Sequence, residues 1–351
     1  MTKRYKRVVL IGRFQPTHKG HLANFLQALN IADKVIILVG SSFQPRTPKN
    51  PFTYDERRYM IERVLGEHAP HHAFSVHPLR DYKYSNNNWI SEVQSTVKNN
   101  NPDVDDKDIA ILGYDKDDSS WYNHAFPSWD FIPLSGFVEF GSTPIDATKI
   151  RELYFEGHLD YLHGAVPLKV FEYLQEWRTS TEYGEMVEEY NFYKGYHAAW
   201  SSAPYVPVFQ TTDAVVIQGG HILLIQRGFS PGKGLWALPG GFINPKERLE
   251  DCVVRELLEE TKIKVPEIVL RKGITHSEVF DHPDRDLRGR TITMAYLIEL
   301  DGGNGELPRV KGSDDAKKAK WFKLSEINDM GMLMYGDHEH IIKTMVARAK
   351  K

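Results

Sequence analysis

A short apolar run near the start of the chain, Val8–Ile11, leads directly into the segment GRFQPTHKGH at residues 12–21. An apolar run of this length that ends in glycine and proline is typical of a buried strand, and the pattern over residues 21–31 is typical of a helix. A second apolar run at residues 34–39 predicts another buried strand, and residues 74–78 and 109–112 are candidates for further strands. Helical patterns separate these runs, which favours crossover connections. The first part of the chain therefore predicts an α/β fold whose parallel sheet is covered by helices on both faces.

The chain is long enough for two domains, because its 351 residues exceed twice a typical domain length of about 150. Residues 1–180 carry the alternating pattern. The composition then becomes aromatic and polar, which predicts a connector at residues 181–205, and its many rings favour a packed, partly helical segment. Residues 206–351 show strand patterns around one strong helix at residues 245–261, which is typical of an α+β domain.

Charge, cysteine content and hydropathy exclude several classes of protein. The formal net charge of −3 provides no overall basic field, so any anionic ligand must be held by local groups. The single cysteine, Cys252, excludes an internal disulfide and a cysteine metal cage. The N-terminal apolar run is too short for a signal peptide or a membrane span. We predict a cytoplasmic protein that binds neither nucleic acid nor membrane, and we leave a homo-oligomer open.

The segment GRFQPTHKGH brings ligand-binding groups to the end of the first strand. Ligands of parallel sheets bind at the carboxyl ends of strands, and a helix that begins there presents unpaired N–H groups and the positive end of its dipole. Gly12 would let the backbone approach a ligand, and Arg13 adds donors. His18 and His21 share one face if the helix has begun. One histidine here would more often pack or cap, but the whole cluster predicts an anion site.

Four motifs in this part together resemble the archaeal-type nicotinamide-nucleotide adenylyltransferases. HKGH fits the HxGH signature of the nucleotidyltransferase superfamily. The segments GRFQPTHKGH, NPFTYDERRYMI, GYDKDDSSWYNHAFPSW and TKIREL follow one another in the order of that family. The resemblance implies a Rossmann-like domain that joins NMN and ATP into NAD and releases pyrophosphate.

The resemblance also implies roles for the matching residues. His18 and His21 would hold the phosphates of ATP, and Arg151 would clamp the β- and γ-phosphates beside the hydroxyl of Thr148. Such chemistry needs mainly positioning and charge neutralisation. The residues implied in binding ATP and NMN are Gly12, Arg13, Phe14, Trp89, Gly113, Tyr114, Asp115, Lys116 and Thr148. Trp89 is a candidate to stack on the nicotinamide ring, and an ordinary core tryptophan is the alternative.

Two helix starts in these motifs carry predicted capping residues. Thr53 is placed to cap the helix that begins in NPFTYDERRYMI. The TKIR motif departs from its family, which usually has small residues before the threonine, whereas Asp146 and Ala147 stand there. An anionic Asp146 would repel a triphosphate. We expect it to cap the helix instead, which would turn its charge away.

A second motif, at residues 240–263, reads GGFINPKERLEDCVVRELLEETKI. On a helical wheel of about 100° per residue, one apolar arc contains Leu249, Cys252, Val253 and Leu257. Glu256 and Glu260 fall inside this arc, and Glu259 lies at its edge. Carboxylates on a buried face are costly and repel one another, and Mg²⁺ or Mn²⁺ would solve both problems. A solvated acidic face without metal is the alternative.

This stretch is similar to the Nudix box, GX5EX7REUXEEXGU. The matching residues are Gly241, Glu247, Arg255, Glu256, Leu257, Glu259, Glu260 and Ile263. The resemblance implies that Glu256, Glu259 and Glu260 bind divalent metal, Mg²⁺ or Mn²⁺, that Glu247 supports them, and that Arg255 orients them through salt bridges. Lys262 replaces the final glycine of the box, so we expect a slightly strained left-handed helix cap.

Two further features of the sequence bear on the second motif. Glu278 and Asp281 lie in a predicted loop from which either could reach the motif as general base, although charged loop residues are usually solvated. The segment DRDLRGRTIT at residues 284–293 resembles, more weakly, a stretch common in Nudix enzymes that cleave ADP-ribose.

Both halves together resemble the bifunctional nicotinamide-nucleotide adenylyltransferase/Nudix proteins over nearly the whole chain. The implied activities are NAD synthesis from ATP and NMN, and hydrolysis of ADP-ribose. One alternative is the same two folds with other substrates, such as nicotinate mononucleotide and another dinucleotide. A second alternative is a Nudix sensor that binds ADP-ribose without cutting it. Sensors of that kind regulate transcription and need a nucleic-acid-binding element, and nothing after Trp321 has the pattern of a helix-turn-helix.

Overall fold

The computed structural model describes residues 3–100, 102–114, 121–122, 124–134, 138–140, 143–301 and 305–349. The chain divides into two compact units, residues 1–188 and 189–351. This division falls inside the predicted connector, where one helix, α6, spans Thr181–Ala199. Within the described ranges, no helix combines the length and the apolar character that crossing a membrane requires.

The first unit contains a sheet with helices between its strands. Its strands are β1 (Tyr5–Gly12), β2 (Ala32–Val39), β3 (Phe74–Pro78), β4 (Ile109–Gly113), β5 (Asp130–Pro133), β6 (Glu139–Phe140) and β7 (Thr143–Pro144). Its helices, apart from α6, are α1 (Lys19–Ile31), α2 (Tyr54–Leu65), α3 (Asn86–Asn99), α4 (Ala147–Phe155) and α5 (Leu168–Trp177).

The main sheet of this unit is parallel throughout and has the strand order β3-β2-β1-β4-β5. The chain moves outward from β1 in one direction and then returns to add β4 on its other side. Such a switch point opens a crevice at the carboxyl ends of the two central strands, which is where parallel sheets bind ligands. The α/β prediction for this half is confirmed, and GRFQPTHKGH lies at the switch point.

Alternate residues of the central strands supply two hydrophobic layers. Val8 and Leu10 of β1 pack on one face of the sheet, whereas Val9 packs on the other together with Ile36 and Ile111 of the neighbouring strands. Because successive side chains of a strand point to opposite faces, two apolar faces need an uninterrupted apolar run. This explains why the central strands β1, β2 and β4 carry apolar runs instead of polar alternation.

Both predicted helix caps are confirmed. The hydroxyl of Thr53 accepts the N–H of Glu56 at 3.4 Å, and the Glu56 carboxylate accepts the N–H of Thr53 at 2.7 Å, so α2 begins with a reciprocal capping box. At α4, Asp146 accepts the N–H of Thr148 at 2.9 Å.

The second unit is built on a seven-stranded mixed sheet. Its strands are β8 (Val208–Gln218), β9 (His221–Arg227), β10 (Trp236–Ala237), β11 (Gly240–Phe242), β12 (Ile274–Phe280), β13 (Arg290–Glu299) and β14 (Ala316–Lys323). Its helices, besides the end of α6, are α7 (Leu249–Thr261), α8 (Glu267–Lys272) and α9 (His338–Ala349). β8 and β13 pair in parallel, and the other pairs are antiparallel.

Two hydrophobic clusters cover the two faces of this sheet. Val253 and Leu257 of α7 pack with Val216 of β8 in one cluster, and Ile341 of α9 packs with Val215 in the other. The apolar arc predicted for α7 is thus buried against the sheet. Short β11 pairs with β8, which brings the start of the GGFINPKE segment beside the helix.

Lys262 ends α7 in the left-handed conformation, with φ 45° and ψ 33°, and its N–H binds the carbonyl of Leu258 at 3.1 Å. The predicted strained cap is confirmed. The Lys262→Gly variant is expected to raise the free energy of unfolding by about 1 kcal/mol, because glycine adopts this conformation without the steric cost of a Cβ atom. Chemical denaturation would measure this change in the free energy of unfolding. The control variant Lys272→Gly, at a right-handed helical position in α8, should instead lower the free energy of unfolding. Equal changes in the free energy of unfolding for both variants would contradict a strained cap at Lys262.

Two candidate active sites

The turn after β1 is built around the ring of Phe14. This residue has φ 53°, a left-handed conformation that is uncommon outside glycine, and it is buried. A Cβ atom at Gly12 would lie 2.8 Å from Cζ of Phe14, and the ring also packs edge-on against His21 at a centroid distance of 4.9 Å. The missing side chain of Gly12 therefore leaves room for the Phe14 ring, and the role of Gly12 in ligand approach stays a prediction.

His18 and His21 form a capping box at the start of α1. Nδ1 of His18 accepts the N–H of His21, and Nδ1 of His21 accepts the N–H of His18, each at 3.3 Å. Each neutral ring therefore carries its proton on Nε2. The rings stack with centroids 3.6 Å apart, and a Cβ atom at Gly20 would lie only 3.0 Å from the His18 ring. The HKGH spacing thus sets two imidazoles side by side with known donor atoms.

Two buried arginines hold the backbone of this turn. Arg151 donates to the carbonyl of Gln15 at 2.8 Å and to the hydroxyl of Thr148 at 3.2 Å. Arg57, which is fully buried, donates to the carbonyls of Arg13, at 2.8 Å, and Gly40, at 2.6 Å. Burial lowers the pKa of each guanidinium to about 10, so both stay cationic at neutral pH. The sequence analysis missed Arg57, although it stands in the NPFTYDERRYMI motif.

A cavity of about 320 Å³ opens at this switch point. It is lined by the predicted residues Gly12, Phe14, His18, His21, Gly113 and Tyr114, and also by Asp146. Arg13, Thr148 and Arg151 do not line it. The Asp146 carboxylate caps α4 as expected, and the residue also lines the cavity. Asp115 and Lys116 lie outside the described residues.

Trp89 lies in an aromatic cluster and not in this cavity. Its ring contacts Tyr122 at a centroid distance of 5.7 Å and Phe126 at 6.3 Å, and it packs against one hydrophobic layer of the sheet. Stacking on a nicotinamide ring therefore stays a prediction, and the contacts observed are those of the alternative, a tryptophan of the core.

Arg255 organises the second site. Its Nε and Nη2 donate to the two carboxylate oxygens of Glu247, at 2.7 and 2.9 Å, and its Nη1 donates to Glu256 at 2.8 Å and to Glu259 at 3.0 Å. This guanidinium lowers the pKa of Glu247 to about 2. A Cβ atom at Gly241 would lie 2.5 Å from Glu256 Oε1, so a glycine is needed where the strand passes the helix.

Glu260 is the most buried carboxylate of the motif, with 5% of its surface exposed. One oxygen accepts the N–H of Gly240 at 2.9 Å. Burial raises its pKa to about 8, and the nearby charges of Glu256 and Asp213 add to this effect. Burial also raises the pKa of Glu256. The helix thus turns two carboxylates inward, where ionisation requires a neighbouring positive charge.

A cavity of about 300 Å³ lies over these carboxylates and is lined by Gly241, Arg255, Glu256, Glu259 and Glu260. Glu247 does not line it, since both its oxygens are held by Arg255. Glu278 and Asp281 do not line the cavity either. Glu278 pairs with Arg348 at 3.1 Å, and Asp281 pairs with Arg290 at 3.6 Å. The two candidate general bases are therefore engaged outside the cavity.

The carboxylates fit a divalent cation in chemistry, although Arg255 now binds two of them. Within the described ranges, no three His, Cys, Asp or Glu side chains already stand together so as to hold a metal ion. Glu256, Glu259 and Glu260 nevertheless offer only oxygen donors, which hard divalent cations prefer. Because burial raises the pKa of Glu260, a cation bound beside it would favour the ionised carboxylate that a metal ligand needs.

The sequence analysis missed several charged residues that line the same cavity. They are Asp213, Arg227, Arg285, Asp286, Arg288, Asp314, Asp315, Asp337 and His338. Three of them, Arg285, Asp286 and Arg288, stand in the DRDLRGRTIT segment, whose weak resemblance was the available signal. The others come from distant parts of the chain, and only the folded structure brings them together.

The whole chain is similar to a solved structure whose description names two activities. A crystal structure from Francisella tularensis, described as a bifunctional NMN adenylyltransferase/ADP ribose pyrophosphatase complexed with AMP and Mn ion, shares 35% identity and a TM-score of 0.88. The alignment covers 98% of this chain and 99% of that one. The chain belongs to this bifunctional family.

Each half of this bifunctional chain also has its own relatives. Residues 9–132 match the cytidylyltransferase-like family and residues 208–345 match the NUDIX domain family. A nicotinamide/nicotinic acid mononucleotide adenylyltransferase of Acinetobacter baylyi is 30% identical over 53% of this chain and 94% of its own length. An ADP-ribose pyrophosphatase of Methanocaldococcus jannaschii is 39% identical over 37% of this chain and 69% of its own. Nudix hydrolases use divalent metals, in agreement with the acidic donor set of α7.

Proposed function

We propose that this protein is a bifunctional enzyme of NAD metabolism. Its N-terminal half transfers the adenylyl group of ATP to NMN, giving NAD and pyrophosphate, and its C-terminal half hydrolyses ADP-ribose to AMP and ribose 5-phosphate. The observation that carries the proposal is the similarity over 98% of the chain to a protein described with both activities. A cavity over the paired histidines and another over the acidic helix support it.

In the first reaction, a phosphate oxygen of NMN forms a bond to the α-phosphorus of ATP, and the bond from that phosphorus to the bridging oxygen breaks. Pyrophosphate carries the negative charge away. The Nε2–H groups of His18 and His21 would donate to phosphate oxygens as this charge develops. That Arg151 also binds phosphate stays a prediction, since its guanidinium donates to Gln15 and Thr148 and does not line the cavity.

In the second reaction, water adds to one phosphorus of ADP-ribose and the P–O–P bridge breaks. Glu256, Glu259 and Glu260 would hold the divalent metal, which we propose is Mg²⁺ or Mn²⁺. When bound, the metal neutralises charge on the diphosphate and lowers the pKa of a coordinated water. Arg255 fixes the positions of Glu256 and Glu259. Glu247 in turn fixes Arg255 by accepting hydrogen bonds from its Nε and Nη2.

Nicotinate mononucleotide is the second candidate substrate of the first half. The name of the Acinetobacter relative gives both nicotinamide and nicotinic acid mononucleotide, which favours this second substrate. The two nucleotides differ in an amide or a carboxylate on the ring, so parallel assays with each would give the preference as a ratio of kcat/KM.

Anion-exchange chromatography of the products tests the whole proposal. Purified protein with Mg²⁺ receives NMN and ATP in one reaction, nicotinate mononucleotide and ATP in another, and ADP-ribose alone in a third. We expect NAD in the first reaction and AMP with ribose 5-phosphate in the third. ADP-ribose that binds but is not cut would contradict the hydrolase and favour a sensor, and no dinucleotide in either of the first two reactions would contradict the transferase.

A further inference from the structure

Four arginines line the cavity of the second unit, and three of them are neutralised by carboxylates. Arg255 binds the Nudix-box glutamates as described. Arg285 makes two bonds of 3.0 Å to Asp337, and Arg288 binds Asp286 at 2.7 Å. All four side chains make hydrogen bonds, but only the fourth, Arg227, makes no ion pair within the described ranges.

Arg227 is held in place by contacts that leave its charge uncompensated. It is the last residue of β9, where its backbone bonds with Leu235 and Gly234 at 2.9 Å each. Its Nε donates to the carbonyl of Pro231 at 2.7 Å, and its guanidinium carbon lies 4.3 Å from the ring centroid of Tyr335. A carbonyl and an aromatic face orient a guanidinium without cancelling its charge.

These contacts leave a defined part of the guanidinium for a ligand. The ring of Tyr335 lies against its face and Pro231 occupies Nε, so the N–H groups of Nη1 and Nη2 lie at the edge that recognises oxyanions in the guanidinium plane. Arg227 and Glu260 line the same cavity, and the positive charge of Arg227 favours the ionised form of Glu260.

We propose that Arg227 binds a non-bridging oxygen of the diphosphate group of the nucleoside-diphosphate substrate. The inference rests on the proposed hydrolase function and adds to it the residue that recognises the diphosphate. A substrate diphosphate brings negative charge into a cavity already rich in carboxylates, and the other three cations there are committed to acidic partners. Arg227 supplies the positive charge that offsets this repulsion, and it does so from β9, outside the Nudix box.

The test compares Arg227→Gln with wild type in ADP-ribose hydrolysis by the full chain with Mg²⁺. Arg348→Gln serves as the matched control, since it removes one positive charge from the same unit outside the cavity. Two competitive inhibitors are measured with each protein: ADP, which carries the diphosphate, and adenosine, which lacks it. Glutamine keeps a hydrogen-bond donor but lacks both the positive charge and the paired planar donors of arginine. Arg227→Lys keeps the charge and lacks the paired donors, so it separates the two contributions.

We expect Arg227→Gln to lower kcat/KM for ADP-ribose by about 10- to 100-fold, the usual effect of a lost charged hydrogen bond. The inhibition constant of ADP should rise by a similar factor while that of adenosine stays unchanged, and lysine should recover part of the loss. The assignment of Arg227 would be overturned if kcat/KM of the Arg227→Gln variant matched that of wild type. It would also be overturned if the inhibition constants of ADP and adenosine rose by the same factor. A wild-type protein that leaves ADP-ribose uncut would overturn the hydrolase itself, and the assignment with it.

Discussion

Replacing Glu260 with glutamine is expected to lower kcat/KM for ADP-ribose hydrolysis by about 10³-fold, because a lost metal ligand removes several kcal/mol of transition-state stabilisation. NAD formation by the same preparation should not change. Glutamine keeps the shape of the side chain and an oxygen for the N–H of Gly240, so the variant removes the charge and little else. Product chromatography with ADP-ribose, and separately with NMN and ATP, measures both activities.

The stability of the metal-free Glu260→Gln protein provides the internal control. Glu260 is 5% exposed and accepts a hydrogen bond from the Gly240 N–H, so removing its charge should leave stability unchanged or increase it. Loss of hydrolysis in an equally stable protein would locate the effect in metal binding. The matched variant Glu267→Gln changes a more exposed carboxylate on α8 and should keep full activity. Hydrolysis within a few-fold of wild type in Glu260→Gln would contradict the proposed role.

The His21→Ala variant is expected to reduce NAD formation by about 10²- to 10³-fold, the usual effect of removing one preorganised donor from a developing oxyanion. Hydrolysis of ADP-ribose should continue at the wild-type rate. The loss should appear mainly in kcat, because the charge on the departing pyrophosphate grows in the transition state. Steady-state rates of NAD formation with varied ATP measure it.

His18 allows the cap and the chemistry to be separated. His18→Ala removes the side chain that accepts the His21 N–H, which should cost about 1 kcal/mol of stability. His18→Asn restores a good capping acceptor but not the imidazole Nε2–H, so stability should return while NAD formation stays low. Recovery of activity together with stability in His18→Asn would show that this histidine acts only as a cap.

Much of this molecule follows from local sequence because the relevant forces are local. The apolar runs of β1 and β2 predict a buried parallel sheet, and the caps Thr53 and Asp146 form bonds within three residues of themselves. Lys262 adopts a left-handed cap because its position follows the last helical turn of the Nudix box. In each example the interacting groups are close in sequence, so pattern and propensity are sufficient.

Features that depend on distant contacts did not follow from the sequence. Arg57 reaches Arg13 across 44 residues, and Arg285 reaches Asp337 across 52. The packing of the Phe14 ring against Gly12 was not predicted either, because it depends on the left-handed conformation of Phe14. Asp146 caps α4 as predicted and also lines the cavity, which only the folded chain brings to the start of this helix.

The most direct test of the central claim is a crossed assay of the two activities in one chain. Wild type, His21→Ala, Glu260→Gln and the double variant each receive NMN, ATP and Mg²⁺, or ADP-ribose and Mg²⁺, and the products are separated by anion exchange. Two chemically distinct sites predict that each single variant loses one activity and keeps the other, and that the double variant loses both. A single variant that loses both activities while remaining folded, or a double variant that keeps either one, would contradict the account.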